Sequence, residues 1–257
     1  MDLDLPHTDH GPRAGLPILL LHGFPLDHGM WAAQERALAA AGFRVLAPDL
    51  RGMGKAPPGK GPGSMGAYAG DVLRLADRAG LRRFALAGFS MGGYVAFEVA
   101  RRAPERLLGL ALVDTRMEPD SEEGRRGRAA MMEKVRQQGP QALVDAMLSK
   151  MLSNSAPSEA VERVRATMMR TPIDGAVQAL EAMAARPDST ATLRGLACPV
   201  LVVVGEQDAL TPPDAARAMA QAARDARLVV VPGAHLTPVE SPDAVAEAML
   251  AWARGLA

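Results

Sequence analysis

One short stretch constrains this chain more than any other: Gly88-Phe89-Ser90-Met91-Gly92, followed by Gly93. Ahead of it, Arg83-Phe84-Ala85-Leu86-Ala87 is short and apolar, the pattern of a buried strand. Behind it, Tyr94 to Arg102 carries Val95, Val99 and Arg102 at helical spacing, which predicts a helix. A serine therefore sits on a sharp turn between strand and helix. Side chains at Gly88 or Gly92 would collide as the backbone reverses, and Gly93 lets the helix lie close to the sheet. The turn holds the Ser90 hydroxyl clear of the sheet, at a helix N-terminus whose amides favour developing negative charge. This context separates a nucleophile elbow from a chance G-x-S-x-G match.

The rest of the chain alternates around that turn. Apolar runs at 17–21, 43–47, 107–114, 199–205 and 227–231 read as strands, and 30–41, 64–79, 213–224 and 242–254 as helices. Strands without polar alternation, separated by helices, predict a mostly parallel sheet covered on both faces. Residues 1–15 leave room for one short edge strand and a turn, so a sheet of seven to eight strands is expected. Thr115 to Arg194 breaks the alternation, with helical periodicity and no strand. Leu143, Val144, Met147, Leu148 and Met151 form one apolar stripe, and Val161, Val164 and Met168 another. Thr171-Pro172-Ile173-Asp174 reads as a capped helix start. The predicted organisation is a core of residues 1–114 and 195–257, with residues 115–194 inserted as a helical cap.

Composition narrows the functional classes. Formal net charge is zero, which leaves no electrostatic case for nucleic acid or a membrane surface. The single cysteine, Cys198, excludes a disulfide framework and a cysteine metal cluster, and reads as a buried structural thiol. Met1-Asp2-Leu3-Asp4 is acidic where a leader would be basic, and no apolar run approaches membrane-spanning length. A soluble cytoplasmic protein, monomeric or a small homo-oligomer, is expected.

A serine is a poor nucleophile without a base, and the base needs a third group to hold its tautomer. Of the five histidines only His235 follows Ser90. It lies in Pro232-Gly233-Ala234-His235, just past a strand, at the sheet edge where open parallel sheets bind ligands. Asp208, Asp114 and Glu206 all lie just past strands and are candidate acids.

With His22-Gly23-Phe24-Pro25, Asp49-Leu50-Arg51-Gly52-Met53-Gly54, the Ser90 elbow, Gly205-Glu206-Gln207-Asp208 and Gly233-Ala234-His235, the chain resembles the α/β-hydrolase superfamily along nearly its whole length. The resemblance implies the order Ser, acid, His, and so Ser90, Asp208 and His235 as catalytic residues, with Asp208 preferred over Asp114 and Glu206. It implies an oxyanion hole from the backbone N–H groups of Phe24 and Met91, with His22 bracing that loop. It implies no metal or organic cofactor. Within the superfamily the chain is similar to small bacterial carboxylesterases, enol-lactonases, cofactor-free perhydrolases and carbon–carbon bond hydrolases. Serine in place of aspartate as nucleophile argues against haloalkane dehalogenases and epoxide hydrolases. The leading expectation is hydrolysis of small to medium carboxylic esters or lactones, and a receptor-like protein without turnover is the contrasting reading.

Met147, Met168 and Arg116 are candidate pocket residues, and the apolar stripes predict a largely hydrophobic pocket. Arg116 could meet a substrate carboxylate, or form a salt bridge with Glu118 or Asp120. Gly54-Lys55-Ala56-Pro57-Pro58-Gly59-Lys60-Gly61 imitates a phosphate loop. It lacks the following Ser or Thr, and its prolines remove amides, so it reads as a surface loop.

Overall fold

The computed structural model describes residues 3–256. Met1 and Asp2, the first half of the acidic opening noted above, lie outside them, as does Ala257. Strands β1 (His7–His10), β2 (Pro17–Leu21) and β3 (Arg44–Pro48) enclose α1 (Ala32–Ala40). Then come α2 (Met65–Arg78), β4 (Phe84–Phe89), α3 (Met91–Arg102) and β5 (Leu107–Val113). Five helices follow without a strand: α4 (Glu122–Gln138), α5 (Gln141–Met151), α6 (Ser158–Met169), α7 (Ile173–Ala184) and α8 (Thr190–Gly195). The chain closes with β6 (Val200–Gly205), α9 (Pro213–Ala222), β7 (Ala226–Val231), α10 (Thr237–Glu240) and α11 (Pro242–Arg254).

The seven strands form one sheet in the order β1-β3-β2-β4-β5-β6-β7. Every pairing is parallel except β1 against β3. The apolar runs explain the layering. Strands β3, β4 and β6 are buried at every residue, so both sheet faces must be covered. Helix α1 packs with α11, and α2 with α3, against that sheet. Helix starts follow local chemistry, as where the Ser64 hydroxyl accepts from the Ala67 N–H to cap α2.

Two local readings are corrected. Thr171 does not cap α7: Pro172 takes the N-cap place, and Thr171 Oγ1 donates to the Pro25 carbonyl at 3.2 Å. That bond ties the inserted helices to the loop after β2. The Gly- and Pro-rich loop lies at the surface, as expected, and is tied to the inserted helices. Gln178 on α7 accepts from the Gly59 N–H and donates to the Gly59 carbonyl, at 3.0 and 2.7 Å. Cys198 is half-buried rather than fully buried, and burial pushes its thiol up.

Met168 also departs from expectation. It is fully buried in α6 within the hydrophobic interior, so it offers no face to a ligand. Large-to-small changes at such sites cost about 2–5 kcal/mol through lost transfer energy and a cavity. Met168→Ala should therefore lower stability by about that amount in urea unfolding. A variant of unchanged stability would contradict this placement.

Candidate active site

The carboxyl ends of β4, β5, β6 and β7 lie side by side, and the loops leaving them carry the candidate residues. Ser90 follows β4 with φ 50 and ψ −115, a left-handed backbone for a residue with a side chain. Such a conformation costs about 1–3 kcal/mol and persists only where neighbours over-determine it. Here Ser90 N donates to Val113 O at 2.9 Å. The Ser90 carbonyl accepts from Gly93 N at 2.9 Å and from Thr115 Oγ1 at 2.8 Å. A Cβ on Gly92 would stand 2.3 Å from the Leu21 carbonyl, so the elbow can press on the end of β2 only as glycine.

Ser90 Oγ lies 2.9 Å from His235 Nε2, and His235 Nδ1 lies 2.8 Å from Asp208 Oδ2. Both His235 and Asp208 are buried. The Asp208 carboxylate is saturated with donors. Its Oδ1 accepts from Leu210 N and Thr211 N, each at 2.8 Å, and its Oδ2 also accepts from Thr211 Oγ1 at 2.6 Å. A carboxylate of this kind accepts only, so Nδ1 carries the imidazole proton and Nε2 presents its lone pair to Ser90. Burial pushes the Asp208 carboxyl up, but the bonds from His235 and Thr211 outweigh it and hold the group below the ordinary carboxylate value. The role of Thr211 escaped sequence reasoning. Its signal is a threonine three residues after an aspartate at a strand exit, a local side-chain turn.

The other candidate acids stand apart from the imidazole. Asp114 is fully buried after β5, where its carboxylate accepts from Gly205 N at 2.9 Å and from Thr237 Oγ1. Burial and the nearby Asp208 charge push its carboxyl well above the usual range. Glu206 is exposed and accepts from Gln207.

The loop after β2 closes on the serine. A Cβ on Gly23 would lie 3.1 Å from Ser90 Cβ, and Leu26 N donates to Gly23 O at 3.0 Å to close the turn. Phe24 lines the same cleft as Ser90, and Met91 opens α3, where first-turn amides have no partner inside the helix. His22 is fully buried beneath them. Its Nδ1–H donates to Gly23 O and its Nε2 accepts from Leu50 N, both at 2.9 Å. Burial lowers its pKa, which keeps the ring neutral for that paired role.

Leu50 belongs to the Asp49–Gly54 motif, whose purpose the structure makes plain. The Asp49 carboxylate accepts from His28 N at 3.0 Å, His28 Nδ1 at 2.7 Å and Lys55 N at 2.8 Å. Gly54 has φ 56, and a Cβ there would strike that carboxylate at 2.3 Å. Burial raises the Asp49 carboxyl, but the His28 and Lys55 bonds prevail and set it at about 2.

A cleft of about 480 Å³ opens over Ser90 and His235, between the strand ends and α4, α5 and α7. Met147 and Arg116 line it, and Met168 does not. The lining is mostly apolar, as expected, with Arg128, Lys150 and Arg186 set among the apolar groups. The suggested Arg116 salt bridges do not form. Asp120 is held by Arg128 and by Arg186, the latter at 2.6 Å, and Arg116 donates to the Leu210 carbonyl. Glu240, also unforeseen, accepts from Ser153 N at 3.1 Å and Ala234 N at 3.0 Å. Leu236 N donates to Met151 O at 2.7 Å. These bonds fasten the end of α5 to the His235 loop.

Residues 17–242 match the family model described as the alpha/beta hydrolase fold. The chain is similar to a thermophilic esterase from Thermogutta terrifontis solved with malate bound, at 42% identity and a TM-score of 0.95, covering 99% of this chain and 94% of that one. It is similar to the enol-lactonase from Burkholderia xenovorans LB400, at 30% identity and a TM-score of 0.91, over 97% and 96% of the two chains. A protein of Azorhizobium caulinodans provisionally named a carbamate hydrolase is 31% identical over 98% of this chain and 95% of its own.

The Asp49 environment has a measurable consequence in acid. A depressed carboxyl stabilises the fold above the ordinary value of 3.8, and that contribution is lost as pH falls towards about 2. The shift corresponds to stability on the order of 2 kcal/mol. His28 titrates the other way: its raised pKa stabilises the fold below the ordinary 6.5 and the benefit fades as pH rises through the folded value. Urea midpoints of the native protein should therefore fall between about pH 4 and 2, and Asp49→Asn should fall less steeply there. Equal slopes would remove Asp49 from the account.

Proposed function

Because the chain belongs to the α/β-hydrolase family, we propose that it hydrolyses carboxylic esters through a Ser90-His235-Asp208 triad and an acyl-enzyme. The observation that carries this reading is the hydrogen-bond chain Ser90 Oγ, His235 Nε2, His235 Nδ1, Asp208 Oδ2, at 2.9 and 2.8 Å. Ser90 Oγ attacks the acyl carbon while its proton passes to His235 Nε2. Asp208 accepts from Nδ1 throughout, holding the ring in place and stabilising it when charged. The oxyanion takes hydrogen bonds from Phe24 N–H and Met91 N–H, and each such donor is worth about a hundredfold or more in rate. His235 then gives its proton to the departing alkoxide. A water molecule attacks the acyl-enzyme, passing its proton to Nε2, and Ser90 recovers a proton as the acid leaves.

The likeness to an esterase at 42% identity over nearly the whole chain supports an ester substrate. Lactones are the second reading, because the enol-lactonase likeness is almost as extensive and ring opening uses the same steps. The helices α4, α5 and α7 act in this proposal as a cap, enclosing the acyl group against Ser90.

Ser90→Ala should abolish release of 4-nitrophenol from aryl esters while leaving the fold intact. Asp208→Asn should lower kcat by about 10⁴, as expected when the imidazole loses its tautomer. Asp114→Asn should cost far less, since an amide can still accept from Gly205 N–H and donate to Thr237 Oγ1. If Asp114→Asn were the more damaging, the acid would have to be reassigned. Each buried methylene is worth about 0.8 kcal/mol, so kcat/KM across a homologous acyl series should rise and then fall. Met147→Ala should move that optimum to bulkier acyl groups, and an unmoved optimum would take Met147 out of the pocket.

A further inference from the structure

The G-x-S-x-G pattern leaves the residue before the serine open, and here that residue is Phe89, fully buried at the end of β4. Its place is closely fixed. The backbone stands in register with Val113 of β5. The Trp31 and Phe89 rings meet at 89°, with centroids 6.5 Å apart. On the loop after β2, a Cβ on Gly23 would lie 2.6 Å from Phe89 Cδ1, so the ring fills the space that a side chain there would need. A third contact reaches the base. The Phe89 and His235 ring centroids are 5.1 Å apart, with the planes tilted at 48°.

His235 takes on positive charge when it accepts the serine proton, and Asp208 meets that charge only at Nδ1. An aromatic face is electron-rich, and a cation within about 6 Å of the ring centroid is drawn to it. The attraction grows where water is excluded, and both rings are buried. Other charges also surround the imidazole. Asp114 bonds to Thr237, Glu240 to the Ala234 amide, and neutral His22 to the Gly23 carbonyl. On the open side the cleft adds Arg116, Asp120, Arg128, Lys150 and Arg186. All of them stay in place when only the electrons of the Phe89 ring are altered.

We infer that Phe89 is a positioning residue, which wedges the His235 ring against Ser90 and stabilises its charged form through an aromatic face. The inference rests on the Ser90-His235-Asp208 reading and deepens it, giving the charged base a second support beside Asp208.

Fluorination of the ring tests it, because fluorine drains the aromatic face and changes its shape little. Position 89 of the full chain is filled with phenylalanine, 4-fluorophenylalanine or 3,4,5-trifluorophenylalanine, and kcat/KM for 4-nitrophenyl acetate is followed against pH. A less stabilised imidazolium gives up its proton sooner. The acid limb should therefore move stepwise to lower pH, by up to about one pH unit in all. The plateau kcat should fall with it, by about two- to fivefold. Packing alone would not couple a graded fall in rate to a limb moving in that direction. A limb that stays in place, or moves to higher pH, would overturn the inference. Proton NMR gives a reading that needs no turnover: the His235 Cε1–H resonance should titrate at lower pH in the fluorinated proteins, and an unmoved titration would overturn the contact. If the native protein cleaves the ester no faster than Ser90→Ala, the ester-hydrolase reading fails, and the resonance alone decides whether Phe89 supports the charged ring.

Discussion

Everything at the strand ends depends on one strained residue. Ser90 holds φ 50 because three contacts and one absent side chain leave it no alternative. Val113 O takes its amide, Gly93 N and Thr115 Oγ1 take its carbonyl, and Gly92 allows the turn to press on β2. The cost is on the order of 1–3 kcal/mol, small against the burial of strands with no exposed residue on either flank. The large interior makes that local strain tolerable, and the strain sets the serine hydroxyl at the imidazole.

Around the elbow, buried and half-buried polar groups do the positioning. Each ties one loop to another. Asp114 joins the ends of β5 and β6 to α10 through Gly205 N and Thr237 Oγ1. Glu240 joins the His235 loop to the end of α5. His22 joins the loop after β2 to the loop after β3. Asp114 and His22 sit where an unpaired polar group would cost about 1–3 kcal/mol, Glu240 is half-buried, and each has its partners. The site is therefore a lattice of satisfied hydrogen bonds laid over a parallel sheet. Losing one member should disturb both of the loops it joins.

Much of the sheet was legible because its strands are apolar on both sides, which only a doubly covered sheet explains. The elbow was legible because Gly88, Gly92 and Gly93 meet a steric demand that can be stated without coordinates. His235 stood out because no other histidine follows the serine, and the structure places it between Ser90 and Asp208, bonded to both. Other features were hidden for a physical reason. Glu240 acts through Ser153, a contact that exists only once loops far apart in sequence have met, and the local Thr211 turn gains its role only when Asp208 meets His235. The Asp49–Gly54 motif was visible, but its carboxylate and its glycine make sense only when His28 arrives from another loop. Met168 and Arg116 show the limit from the other side. A methionine on an apolar stripe can face a ligand or the interior, and periodicity does not distinguish them. An arginine beside two acids in sequence need not reach either, and here Arg128 and Arg186 claim Asp120 first.

The central claim is that Ser90 becomes covalently acylated. The most direct test is mass spectrometry of the protein quenched in acid during turnover of a 4-nitrophenyl ester, followed by peptide mapping. The account predicts the mass of one acyl group on the peptide containing Ser90, absent in Ser90→Ala and persisting longer in Asp208→Asn. An acyl group mapped to another residue, or steady hydrolysis abolished by no change at Ser90, would contradict it.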